Sequence, residues 1–350
     1  AVSLQDAQGK NIVKKHILSI IFLSFTLCLV IFSNSNLIAA KNGLKLWAQN
    51  VVPALFPFFV ATELLSYTNV AEKLSSICAK FMTPLFKVPG NAAYAFILGI
   101  ISGYPVGAKI VTNFRLSNLC SKDEGERMLA FTNNSGPLFI IGTVGITLFK
   151  SSMIGILLLI THILSSITVG ILLGFFKHRS SNNSAITKPV NSIKIYNISN
   201  LGEILGNSIL SASKTIISIG GFVVLFSVII SILSTSHIMD ILLIFCKPIC
   251  SLSNINPNFI KSILVGLIEL TNGVSLASSI PSKNLTINII ICAFLLGFGG
   301  LSILLQVLSI TSKSDLSIKK YIIGKFLQGI IAAFYTYIFI INFGIFNYNL

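Results

Sequence analysis

The feature that most constrains this chain is a set of long stretches without a charged or imidazole side chain. Ile17 to Ala40, Met128 to Phe149, Asn284 to Ser312 and Phe326 to Leu350 contain no Asp, Glu, Lys, Arg or His. Each exceeds the roughly 20 apolar residues needed to cross a bilayer core of about 30 Å. A backbone in lipid must satisfy its own hydrogen bonds, which leaves helices or a closed barrel. Barrel strands are alternating segments of about 10 residues. The continuous run IGILLLITHILSSITVGILLGFF at 154–176 fits only a helix. The expected fold class is therefore an all-α, polytopic membrane protein.

Composition agrees, with 53% hydrophobic and 10% charged residues among 350, where a soluble domain would carry about a quarter charged. The formal charge of +15 sits mainly in short connections, where Lys and Arg set membrane orientation. No basic patch interleaved with aromatics appears, so no nucleic-acid partner is expected. The lipid bilayer is the expected surrounding. Cys246 and Cys250 are four apart, but no further Cys or His pair completes a zinc set, so neither metal nor cofactor is expected. No catalytic constellation is present either, and the chain is not expected to be an enzyme.

Spans are expected at 17–39, 51–70, 128–149, 151–176, 215–236, 286–311 and 326–347. The apolar stretch after Lys14-Lys15 is longer than the 7–15 residues of a signal peptide, so it reads as a retained first span. Lys10, Lys14 and Lys15 would keep the N-terminus cytoplasmic. Segments 71–86 and 113–127 carry helical spacing and read as interfacial amphipathic helices. In the latter, Ser121 and Glu124 have the spacing of a capping box.

Two further apolar stretches, 91–112 and 259–281, are interrupted in mid-run by Gly, Pro, Ser, Thr and Asn. These interruptions recur at nearly constant distance along the chain. Pro84 and Pro248 are 164 residues apart, Gly99 and Gly266 are 167, and Gly136 and Gly299 are 163. The pattern predicts an internal duplication. Its expected parts are a tail and first helix at 1–40, a first repeat at 41–176 and a polar linker at 177–200. A second repeat at 201–312 and a C-terminal helix at 313–350 follow. Membrane repeats of opposite topology place two gates around one central site, built at corresponding broken helices. Peptide groups freed by Gly and Pro at membrane depth must face protein, water or a ligand.

The interruptions supply the candidate substrate-binding residues. Ser102, Gly103, Tyr104, Pro105, Gly107 and Lys109 form one re-entrant tip, whose backbone N–H groups, hydroxyls and cation suit an anion. Asn133, Asn134, Ser135 and Gly136 form a second cluster ahead of Pro137. Glu269, Thr271 and Asn272 form a third, and Gly299 and Gly300 stand where the second half matches Gly136. Glu269 is a carboxylate in an otherwise uncharged run, a costly placement that points to function, and Glu63 within 51–70 is the second such group. Both are candidates for coupling transport to an ion. His162 and His237 read as packed or interfacial residues.

Four blocks, GLKLWAQNVVPALFPFFVATELL (43–65), ISGYPVGAK (101–109), ERMLAFTNNSGPLFIIGTVG (126–145) and GLIELTNG (266–273), together resemble one family. It is the sporulation integral membrane proteins of endospore-forming Firmicutes, which carry a duplicated nucleoside-recognition, or gate, domain. The resemblance implies inverted repeats with re-entrant hairpins and a transporter in the outer forespore membrane. Its implied cargo is dipicolinic acid, a pyridine dicarboxylate. The gate domain's relation to concentrative nucleoside transporters keeps a nucleoside or nucleobase carrier open, and a non-transporting scaffold for spore assembly is the third reading. The sequence leaves open whether calcium accompanies the substrate and whether the chain self-associates.

Overall fold

The computed structural model describes residues 2–68, 70–175, 200–253, 256–282 and 285–343, and those residues are helical without strands. The expected linker at 177–200 lies outside them except for Asn200, as does the last part of the 326–347 span. Helix α1 (Val2–Ile31) is followed by α2 (Ser33–Leu46), which passes through a π-helical turn at Trp47–Val51 into α3 (Val52–Ser66). Residues 33–65 thus form one apolar rod of membrane-crossing length, where the sequence suggested two spans with a break near residue 45. Pro53 cannot donate to the helical ladder, and the wide π turn just ahead of it is where that ladder is re-set.

Helix α4 (Val70–Phe81) continues into a π-helical turn at Met82–Phe86. Next come α5 (Ala92–Ser102) and α6 (Val106–Leu116), then α7 (Lys122–Thr132). The stretch 113–127 is therefore the end of one helix, a turn and the start of another, not a single amphipathic helix. The capping box is present: Ser121 Oγ accepts from Glu124 N, and Ser121 N donates to Glu124 Oε2 at 2.8 Å. Nor is 128–149 one helix. It unwinds at residues 133–136, and helix resumes at Pro137 and runs into a π-helical segment, Phe139–Leu148. Helix α8 (Ser152–Phe175) then runs uninterrupted.

The remaining helices are α9 (Leu201–Thr235), α10 (Ile238–Ser253), α11 (Pro257–Ile268) and α12 (Leu270–Ser279). They are followed by α13 (Thr286–Phe298), α14 (Gly300–Thr311) and α15 (Lys319–Phe343). The order repeats. A long rod and a shorter helix (α3–α4, α9–α10) lead into a tight hairpin (α5–α6, α11–α12). A broken helix follows (α7 with Phe139–Leu148, α13–α14), then a long closing helix (α8, α15).

Glycine sets the hairpins. A Cβ on Gly99 would lie 3.4 Å from Gly107 Cα, and one on Gly273 would lie 2.1 Å from Gly266 Cα. A side chain at Gly273 would push the arms of the second hairpin apart, whereas Gly99 makes an ordinary contact across the first hairpin and is needed for its seat on α7, where a Cβ would meet Thr132 O at 1.7 Å. Large apolar side chains such as Phe22, Val30, Ile217 and Phe245 point outward, where lipid would lie. Polar side chains collect inside instead, with Asn133, Asn134, Gln328 and Thr336 all fully buried.

Candidate functional site

Each broken helix rests on the hairpin before it. Gly103, at φ +78°, forms the tip between α5 and α6, and a Cβ there would meet Gly136 N at 2.7 Å. In the second half Gly299 and Gly300, at φ +87° and +82°, separate α13 from α14, and a Cβ on Gly300 would lie 2.8 Å from Gly266 O. These positive φ values and approaches to backbone admit only glycine without strain.

The two junctions face one another across a partly open cavity. Ser102, Gly103, Tyr104, Ser135 and Gly136 line it from the first half. Glu269, Leu270, Thr271, Ser302 and Gln306 line it from the second, and α3 and α9 add an apolar wall through Leu55, Phe59 and Val223. An adjoining pocket shares Ile219 and Gln306 with this cavity and is lined by Pro105, Lys109, Lys214, Ser218 and Ser309. Lys109 Nζ donates to Thr215 Oγ1 at 3.1 Å. The arrangement thus sets a mostly apolar, partly aromatic chamber with a few polar groups beside a second pocket that carries two lysines.

Other expected site residues lie behind the cavity wall and hold it in place. Asn133 Oδ1 accepts from Ala108 N at 3.3 Å in the first turn of α6, and its Nδ2 donates to Tyr321 Oη at 3.2 Å. Asn134 Nδ2 donates to Phe131 O, and its Oδ1 accepts from Gln328 Nε2 at 3.0 Å. Gly107 packs on Thr132 and Asn133, Gly299 faces Tyr104, and Gly300 faces Gly266. Glu269 is 2% exposed and caps α12: Asn272 N and Nδ2 donate to its Oε2 at 2.7 and 2.9 Å. Asn272 Nδ2 also reaches Ser227 Oγ at 3.0 Å, tying α12 to α9. Glu63 sits away from the cavity, where its Oε1 accepts from Ser211 Oγ at 2.6 Å.

Sequence reasoning passed over several groups. Ser302, Gln306 and Lys214 line the two pockets. Behind the unwound segment, Lys325 and Gln328 of α15 bind Asn134. His162 of α8 accepts from Ser135 N at 3.2 Å, a packed structural role in keeping with the expectation for a lone histidine. Tyr321, Lys325 and Gln328 recur at helical spacing on one face of α15, and that polar stripe on an apolar helix was the available signal.

Polar contacts at the helix ends tie the elements together. Arg127 is 2% exposed and donates from Nη1 to Phe86 O at 3.0 Å and from Nη2 to Lys87 O at 2.9 Å. It caps the π-helical turn rather than serving as a loop cation. Asp123 pairs with Arg127 and Lys320, and Arg115 pairs with Asp315 at 2.8 and 3.0 Å. Burial pushes the Asp123 carboxyl up, but the Lys320 hydrogen bond and the Arg127 charge outweigh it and hold it below the usual carboxylate range. The hydrogen bond from Arg115 holds Asp315 down in the same way.

Comparison with known proteins agrees with this architecture. Residues 48–179 and 216–314 match the family model Gate, described as nucleoside recognition. Over 327 residues the chain is 33% identical to Sporulation integral membrane protein YlbJ of Bacillus subtilis (strain 168), covering 90% of this chain and 80% of that protein. Solved structures of CNTnw share its fold. One is in an inward-facing substrate-bound state (TM-score 0.54, 14% identity, 90% of this chain and 86% of that one). Another is a single-substitution variant of CNTnw in an intermediate state (TM-score 0.56, 14% identity, 97% and 86%). The repeated element order is thus the inverted-repeat fold with broken helices and re-entrant hairpins. By family match, identity and fold, the chain belongs to the sporulation integral membrane proteins that carry the Gate, or nucleoside-recognition, domain.

Proposed function

We propose that this chain is a secondary transporter of a small dianionic aromatic carboxylate, dipicolinate, acting across the outer forespore membrane during sporulation with its N-terminus in the cytoplasm. The observation that carries this reading is the pair of joined pockets. One chamber is lined by the helix interruptions of both halves, and the next carries Lys109 and Lys214. Two cations beside a chamber with an aromatic wall suit a flat ligand with two carboxylates. Lys109 attracts carboxylate, while Tyr104, Ser102 and Thr271 offer hydroxyls. Asn133 and Asn134 shape the site by holding the unwound segment. Alternating access comes from one half rocking against the other around the shared cavity, with Glu269 as the candidate for coupling to a proton or cation. The sporulation name of the relative at 33% identity points to the same process.

The test is flux of labelled dipicolinate into proteoliposomes holding the purified protein, with and without an imposed pH gradient. Uptake above protein-free liposomes is expected, and its absence sinks the reading. A nucleoside or nucleobase carrier is the second reading. The family description favours it, and so does Glu269, whose carboxylate in the cavity wall could accept from sugar hydroxyls. Lys109→Ala separates the two. It should lower dipicolinate uptake about tenfold or more by removing a charge partner, whereas a neutral nucleoside would keep its uptake.

A further inference from the structure

Lys325 is a buried lysine with no carboxylate among its hydrogen-bond partners. It is 1% exposed in α15, with its Nζ turned to interior side chains rather than out to an interface. Its Nζ donates to Gln328 Oε1 at 2.7 Å and to Asn134 Oδ1 at 3.3 Å. It lies 5.3 Å from the ring centre of Tyr104 and 5.9 Å from that of Tyr321. Among the described residues the ion pairs involve Arg115, Arg127, His237 and Lys320 as cations, never Lys325. The other titratable groups packed nearby are those two tyrosines and His162 of α8, whose carbonyl accepts from Gln328 Nε2 at 3.5 Å.

An ammonium held by neutral acceptors and ring faces is partly solvated, but its charge is not balanced, and it is favoured only when an anion stands nearby. The balancing charge has an evident place. Tyr104 covers Lys325 on one side and lines the cavity on the other, so the ammonium stands one aromatic ring behind the chamber wall. Asn134, its other partner, is followed by Ser135 and Gly136, which also line the chamber. The carboxylate of the chamber, Glu269, is already engaged by Asn272 at the start of α12. We propose that Lys325 determines substrate charge: an anion in the cavity supplies the counter-charge that an ammonium behind Tyr104 lacks, and this pairing sets the preference for anions over neutral ligands of the same shape. The inference rests on the anionic-substrate reading above. It assigns charge selection to a side chain that need not touch the ligand.

The experiment compares binding of dipicolinate and its neutral isostere pyridine-2,6-dicarboxamide to the purified protein in nanodiscs, by calorimetry, for wild type, Lys325→Met and Lys325→Arg. Wild type should favour dipicolinate. Lys325→Met should lose about tenfold or more of its affinity for dipicolinate while leaving the dicarboxamide within about twofold, since a point charge in a low-dielectric wall acts on charge alone. Lys325→Arg should keep most of the preference. Lys325→Gln is the second neutral variant should Lys325→Met fail to fold. If the neutral variants bind dipicolinate normally, or weaken both ligands equally, Lys325 does not select charge, although the transporter reading stands. If wild type prefers the dicarboxamide, the anionic-substrate reading fails and this inference falls with it.

Discussion

Single residues carry two consequences that can be measured directly. Gly103 combines φ +78° and ψ −171° with contact to the Gly136 backbone, a conformation open almost only to glycine. Gly103→Ala should therefore cost about 1–3 kcal/mol, read as a fall in Tm of the detergent-solubilised protein. Asp123 gives a pH dependence of known sign. Its folded-state carboxyl lies below the unfolded value of about 3.9 because Lys320 and Arg127 overcome the effect of burial. The unfolded chain thus binds the proton more readily, so the contribution is complete above about pH 5 and is lost as pH falls through the folded value. Asp315, exposed beside Arg115, has the same sign. A Tm profile from pH 3 to 7 should fall on its acid side, and Asp123→Asn should flatten part of that fall.

At the scale of elements, the helix ends were more legible than the helix breaks. Ser121 and Glu124 announce the start of α7 by spacing alone, because a capping box is a local device. Ser121→Ala should cost about 1 kcal/mol, measurable by thermal unfolding followed at 222 nm. The span 128–149 reads as one helix by hydropathy, yet it unwinds at residues 133–136. Hydropathy counts apolar side chains and cannot register that two asparagines will exchange helical geometry for bonds to Ala108, Tyr321 and Gln328. Those partners lie on other helices, so the unwinding is a tertiary event. The rod over 33–65 shows the converse: residues such as Lys41, Asn42 and Lys45 fall between the expected spans, but the helix passes through them. Lys325 was missed for a related reason. It stands one residue before a charge-free run and reads as the usual cation at a span's edge, whereas α15 begins earlier, at Lys319, and carries it inside.

For the whole molecule, function depends on how the two halves meet. Gln306 lies where the cavity and the second pocket meet. A bulky side chain there should obstruct the passage without breaking either junction. Gln306→Phe is expected to reduce dipicolinate flux about tenfold or more while shifting Tm by only a few degrees. Equal loss of flux and of folded protein would count against a continuous path.

The sequence by itself determined the solvent, the all-helical class and the duplication. Charge-free runs of that length have one stable environment, and interruptions at one offset imply two copies of one design. It also marked the tips that line the cavity, since Ser102 to Tyr104 and Glu269 to Thr271 stand out against apolar surroundings. Only the tertiary structure decided which polar residues face the cavity and which hold its walls. Asn133, Asn134 and Lys325 are as polar as Ser135 or Gln306, but the packing of α15 against the unwound segment turns them to the rear. Polarity is a property of a residue, whereas the side of a wall it occupies is a property of the helices that meet there.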